Sequence, residues 1–174
     1  DGNGYTISDN TIGYTNAAGT GTMLLMGNAT AISGFPTSYS AVTGIAIRFI
    51  GIVGSFASGS PASNIDGNVV SGIAMYTSSN GFTTYGNFCG IYTESGDVNI
   101  GTTEGNIIGA ASGTGSIYVT SNSPLIVQGK VVAIRAGSTG IVNVQNNIIG
   151  SITSSGSNSN QANSITGIST GGSV

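Results

Sequence analysis

The hydrophobic positions along this chain come in short runs, none of them long enough to form a helix face. Val98-Asn99-Ile100 and Ile117-Tyr118-Val119 follow the two-residue period of a strand, which points every second side chain to one side. Clusters of Gly, Ser, Thr and Asn punctuate the runs, as turns require. Pro36, Pro61 and Pro124 all fall in such breaks. No segment sustains a helical period with a charged opposite face. The pattern predicts many short strands and no helix.

The strands recur as phrases. Asn10-Thr11-Ile12-Gly13 returns as Asn106-Ile107-Ile108-Gly109 and as Asn147-Ile148-Ile149-Gly150, with a looser copy at Asn68-Val69-Val70. A short β-prone element precedes each copy: Tyr5-Thr6-Ile7, Asn64-Ile65, Val98-Asn99-Ile100 and Ile141 to Val144. A second phrase reads Gly44-Ile45-Ala46-Ile47-Arg48, then Gly90-Ile91-Tyr92, then Val132-Ala133-Ile134-Arg135, and reopens at Gly167-Ile168. A third links Gly19-Thr20-Gly21 with Gly113-Thr114-Gly115, each leading into an apolar run. The period is about 40 residues, in the range of solenoid repeats.

One such repeat cannot bury its Ile and Val alone, whereas stacked repeats bury them in a continuous column. The expected fold is therefore all-β, a parallel β-helix over residues 1–174 as one repetitive segment. Two coils of about 20 residues per period would give roughly eight coils and a rod about 40 Å long. In such a stack Asn10, Asn68, Asn106 and Asn147 lie above one another, and their amides form a hydrogen-bonded ladder. Asn also tolerates the left-handed backbone of a tight corner. Gly13, Gly109 and Gly150 would then permit the turn that follows. A β-sandwich or jelly roll has similar strands but does not explain a phrase recurring at this spacing.

Composition narrows the function. Only 5% of residues are charged, 39% are hydrophobic, and 30 of 174 are glycine. This is too apolar for a disordered chain, so the surface is expected to be Ser, Thr, Asn and Gly. Net charge is −3, and Arg48, Lys130 and Arg135 make no basic footprint for nucleic acid or anionic lipid. The most apolar stretch, Gly44 to Phe56, contains Arg48 and is too short to span a membrane. The absence of histidine removes His-based triads and His-ligated metals. Cys89 stands alone, so no internal disulfide forms, and it reads as a buried small side chain. The chain opens at Asp1 without a signal-peptide pattern, as a mature product or a piece of a longer protein would.

No catalytic set, cofactor site or metal site emerges. Glu94 and Asp97 are close in sequence but read as a solvated turn, although glycoside hydrolysis does use paired carboxylates. Arg48 and Arg135 occupy matching places in the second phrase and are expected on one face. Phe82, Tyr85, Phe88 and Tyr92 form the best candidate shelf for glycan contact, since sugars stack on exposed aromatic faces. The Gly-Thr-Gly runs lack the lysine of a phosphate loop. No regular Thr-x-Thr ladder suggests ice binding.

The combination Asp97-Val98-Asn99-Ile100-Gly101-Thr102-Thr103-Glu104-Gly105-Asn106-Ile107-Ile108-Gly109, followed by Gly113 to Ile117, resembles the β-strand-repeat surface proteins of the Bacteroidetes. Asn146 to Thr153 resembles the same family, and the likeness runs from about Tyr5 to Thr170. The resemblance implies a very large secreted or outer-surface protein exported by the type IX route, of which some members are adhesins of gliding cells. It implies a non-catalytic structural or adhesive segment. Its partners would be neighbouring repeats, surface glycans or other copies, and the export machinery. The other reading is a carbohydrate-binding or polysaccharide-degrading β-helix.

Overall fold

The computed structural model describes residues 2–27, 46–77, 86–121, 131–156 and 164–171. These residues form sixteen strands and no helix. The first coil contains β1 (Thr6–Ser8), β2 (Thr11–Gly13), β3 (Met23–Met26) and β4 (Phe49–Ser55). The second contains β5 (Ser63–Asp66), β6 (Val69–Ser71), β7 (Ile73–Thr77) and β8 (Phe88–Ser95). The third contains β9 (Val98–Ile100), β10 (Ile107–Gly109), β11 (Ile117–Ser121) and β12 (Val131–Ala136). The fourth contains β13 (Val142–Val144), β14 (Ile148–Gly150), β15 (Ile152–Gly156) and β16 (Ile165–Thr170). Each strand pairs in parallel with its counterpart in the next coil, giving four sheets of four strands. The fold is a parallel β-helix.

Its coil size differs from the expectation. One period of about 40 residues is one four-strand coil, not two coils of about 20, so four coils are present rather than eight. The chain visits each sheet once before returning, because four corners separate strands as short as three residues. At about 4.8 Å per coil, the stack is about half as tall as expected.

The interior columns follow the strand pairings. Ile12, Val70, Ile108 and Ile149 stack in register, as do Met23, Ile73, Ile117 and Ile152. Val70, Ile108, Ile73 and Ile117 in the two middle coils are fully buried. Burying such a side chain is worth about 1.5–3 kcal/mol, so each inner coil is held by its neighbours on both sides.

Two details of the expected repeat shift. The second phrase aligns differently: Phe49, Phe88 and Val131 share one position, and Val53, Tyr92, Arg135 and Ser169 share another. The true copy in the first coil is therefore Gly51-Ile52, not Gly44-Ile45. Arg48 and Arg135 do not occupy matching positions. The left-handed corner residue also falls beside the ladder asparagine rather than on it. Asp9, Gly67 and Asn146, each immediately before an asparagine of the phrase, have φ of 58°, 66° and 55°. At the next corner Gly13 and Gly109 are left-handed, at φ 108° and 88°. Gly150 is not, and Ser151 takes the corner with φ 54°.

The segments 28–45, 78–85, 122–130 and 157–163 each join a third-sheet strand to a fourth-sheet strand. The length of the coil varies most at two corners: third- and fourth-sheet strands are separated by 22, 10, 9 and 8 residues in successive coils, and second- and third-sheet strands by 9, 1, 7 and 1.

Candidate functional site

The asparagines of the phrase form a continuous ladder. Asn10 Nδ2 and backbone N–H both donate to Asn68 Oδ1, at 2.9 and 3.1 Å. Asn68 repeats this onto Asn106 at 2.9 and 3.0 Å, and Asn106 onto Asn147 at 2.8 and 3.0 Å. The amides also tie the corner: Asn68 Nδ2 reaches the carbonyls of Asp66 and Ile7, and Asn106 Nδ2 that of Ile65. Asn68 and Asn106 are fully buried. A second ladder runs along the first sheet with opposite polarity. Asn143 Nδ2 donates to Asn99 Oδ1, and Asn99 Nδ2 to Asn64 Oδ1, both at 2.9 Å. These asparagines hold the stack together.

Of the expected aromatic shelf, Phe88 and Tyr92 lie among the described residues. Phe88 is fully buried and stacks on Phe49 with ring centroids 5.5 Å apart, so it belongs to the core. Tyr92 is half-buried, its ring lying over Gly137 on the neighbouring coil. Phe82 and Tyr85 lie outside the described residues.

Asp97 ties three coils together. Its Oδ1 accepts the Ile141 N–H and its Oδ2 the Gly59 N–H, both at 2.7 Å. Those bonds, Ile141 first, hold its carboxyl below the ordinary range. Glu94 is exposed and stands apart from this arrangement. Cys89 is fully buried, donates weakly to the Ile91 carbonyl at 3.3 Å, and has its thiol pushed up to about 12 by burial.

One site was missed in the sequence. A groove of about 310 Å³ on the outer side of the first sheet is lined by Thr6, Ser8, Asn64 and Thr103 and by three carboxylates, Asp9, Asp66 and Glu104. Asp9 Oδ1 and Glu104 Oε2 lie 2.8 and 3.3 Å from the point where a Cβ on Gly67 would sit, so these oxygens are within about 6 Å of each other. Asp66 Oδ1 accepts the Thr103 N–H at 3.3 Å. Among the described residues, no three acidic, His or Cys side chains are arranged to hold a metal ion. The signal was available: Asp66 and Glu104 each stand two residues before a ladder asparagine, and Asp9 stands one before. Aligning the repeats on asparagine brings the three together.

No protein-family model, no curated protein and no solved structure matches the chain.

Proposed function

We propose that this chain is a non-catalytic structural and adhesive segment of a secreted or cell-surface protein. The observation that carries this reading is the asparagine ladder. The most regularly repeated polar side chain joins coil to coil, and the amides of Asn68 and Asn106 are fully engaged in doing so. A nearly uncharged chain supports it further, because outside the groove that gathers Asp9, Asp66 and Glu104 the coils stack with few like charges facing one another. The likeness to the Bacteroidetes surface repeats supports an extracellular or outer-surface location, type IX export and a role in gliding-type adhesion. Partners in this reading are neighbouring repeats, surface glycans and the export machinery. Beads coated with the chain are expected to stay on glycan-bearing or cell surfaces under flow longer than beads coated with an unrelated protein. Equal loss of both overturns the adhesive role.

A second reading, a polysaccharide-degrading β-helix, is favoured by the groove. Its carboxylate separation is compatible with the roughly 5–10 Å that glycoside hydrolysis uses. Release of reducing ends from a polysaccharide panel, lost in both Glu104→Gln and Asp9→Asn, would establish it in place of the first.

A further inference from the structure

The two ends of the stack differ, and their differences are complementary. The Oδ1 atoms of Asn68, Asn106 and Asn147 each accept two hydrogen bonds from the preceding coil. Asn10 Oδ1, in the first coil, has no such donor among the described residues. The backbone N–H of Asn10, Asn68 and Asn106 each donates to the next asparagine, whereas that of Asn147 has no acceptor among them. The first coil thus offers an acceptor where the last offers a donor. The second ladder is matched in the opposite sense. Asn143 Oδ1 awaits a donor from a following coil, and the first-coil residue at that ladder position is Thr6, whose hydroxyl can donate.

The apolar columns are open at the same places. Ile7, Ile12, Met23 and Leu25 in the first coil and Val144, Ile149 and Ile152 in the last are only partly buried. Ile165 and Ile168 are 48% and 50% exposed. Among the described residues, strands β1 to β4 at one end and β13 to β16 at the other have a neighbour on one side only. Exposed edges are commonly guarded by charge or proline. From Ala136 to Val174 the chain contains neither.

We propose that the 174-residue chain associates with itself, its last coil receiving the first coil of a second copy, head to tail, in the register that joins coils within the chain. The Asn147 N–H then donates to Asn10 Oδ1 of the second copy, and the Ile and Val columns continue across the junction. Placing last coil on last coil would set donor against donor and reverse the strand direction, so the contact is heterologous and does not close. The proposal adds self-assembly to the structural reading but rests on coil geometry alone. Its readout is mass, so it stands or falls separately from adhesion.

The test uses the 174-residue chain and two variants, each with one blocked end. Ile12→Lys and Ile149→Lys place an ammonium in an open column, where it can reach water in a free chain but is trapped beneath a docked coil. Sedimentation should show the wild-type average mass at least doubling between about 1 µM and about 100 µM. Each variant alone should remain monomeric, and their equimolar mixture should form a dimer and stop there. A wild-type chain that stays monomeric over this range overturns the proposal. So does either variant self-associating alone, or a mixture that stays monomeric. If far-UV circular dichroism shows either variant unfolded, Thr11→Pro and Ile168→Lys replace the pair. Asn10 O accepts the Val69 N–H from the second coil, so by strand alternation the Thr11 N–H points to the open side.

Discussion

Replacing Gly109 with alanine tests the coil geometry against a control within the same coil. Gly109 has φ 88° and Gly113 has φ 85°, so both substitutions carry a similar backbone penalty, about 1–2 kcal/mol. Part of this is offset, by about 0.4–1 kcal/mol, because alanine also restricts the unfolded chain. Around Gly113 a new Cβ would meet nothing within 4 Å. At Gly109 it would lie 1.8 Å from the Gly150 carbonyl oxygen on the next coil. That carbonyl must retreat by about 1 Å or more, and it also accepts the Ala110 N–H at 3.1 Å. Strain of about 1–3 kcal/mol and a weakened hydrogen bond of about 1 kcal/mol follow. Gly113→Ala is therefore expected to cost at most about 1.5 kcal/mol, and Gly109→Ala about 3–5 kcal/mol. Urea unfolding followed by circular dichroism measures both. Amide exchange should locate the Gly109 effect in the fourth coil, since coil stacks lose stability at the affected interface. Equal costs within about 0.5 kcal/mol would refute the close approach of β10 and β14.

Four other outcomes follow from named contacts. Asn106→Ala should cost about 2–4 kcal/mol in urea unfolding, because it leaves the Asn68 N–H buried without its acceptor and removes the side-chain bonds to Asn147 and to the Ile65 carbonyl, which keeps only the Gly101 N–H; a cost below about 1 kcal/mol would remove the ladder's stabilising role. Thr93→Val should raise stability by about 1 kcal/mol, since the Thr93 hydroxyl is fully buried with no partner and valine keeps its shape; any loss of stability contradicts this. The Asp97 carboxyl lies below its ordinary 3.8 in the fold, so its contribution is complete above that pH and is lost as pH falls through the lower folded value. Asp97→Asn should therefore be less stable than wild type at pH 7 and show a shallower fall in stability below about pH 4, both read from unfolding midpoints. Cys89 should react with a thiol reagent only on unfolding, so rapid labelling of the native chain would place it at the surface.

The parts of the fold legible in the sequence were those carried by repeated side chains. The four asparagines marked one position per coil, and the Ile and Val after them marked a column. Coil size was not legible, because a three-residue strand such as Thr6–Ser8 is too short to show how many faces a period crosses. The second phrase was misaligned because Gly-Ile occurs at both Gly44-Ile45 and Gly51-Ile52. The ladder partners of Phe49 and Val53 decide between them, and those belong to tertiary structure. Phe88 read as a sugar platform since nothing local distinguishes a stacked core ring from an exposed one. The acidic groove was hidden by distance along the chain, although each carboxylate stands within two residues of a position already recognised as equivalent.

The corner between second- and third-sheet strands, nine, one, seven and one residues long in successive coils, has a consequence for how such a chain drifts. Successive ladder asparagines are 58, 38 and 41 residues apart, yet each lies one coil from the next with nearly the same hydrogen bonds. The object is periodic in space and only loosely periodic in sequence. Doubling the length of a flexible connection costs about 0.6 kcal/mol, less than one buried isoleucine contributes. Insertions and deletions at this corner are thus nearly invisible to the stack. Related rods can diverge in length and alignment beyond sequence recognition while keeping an unchanged pitch, and a foreign peptide spliced there would be displayed once per turn.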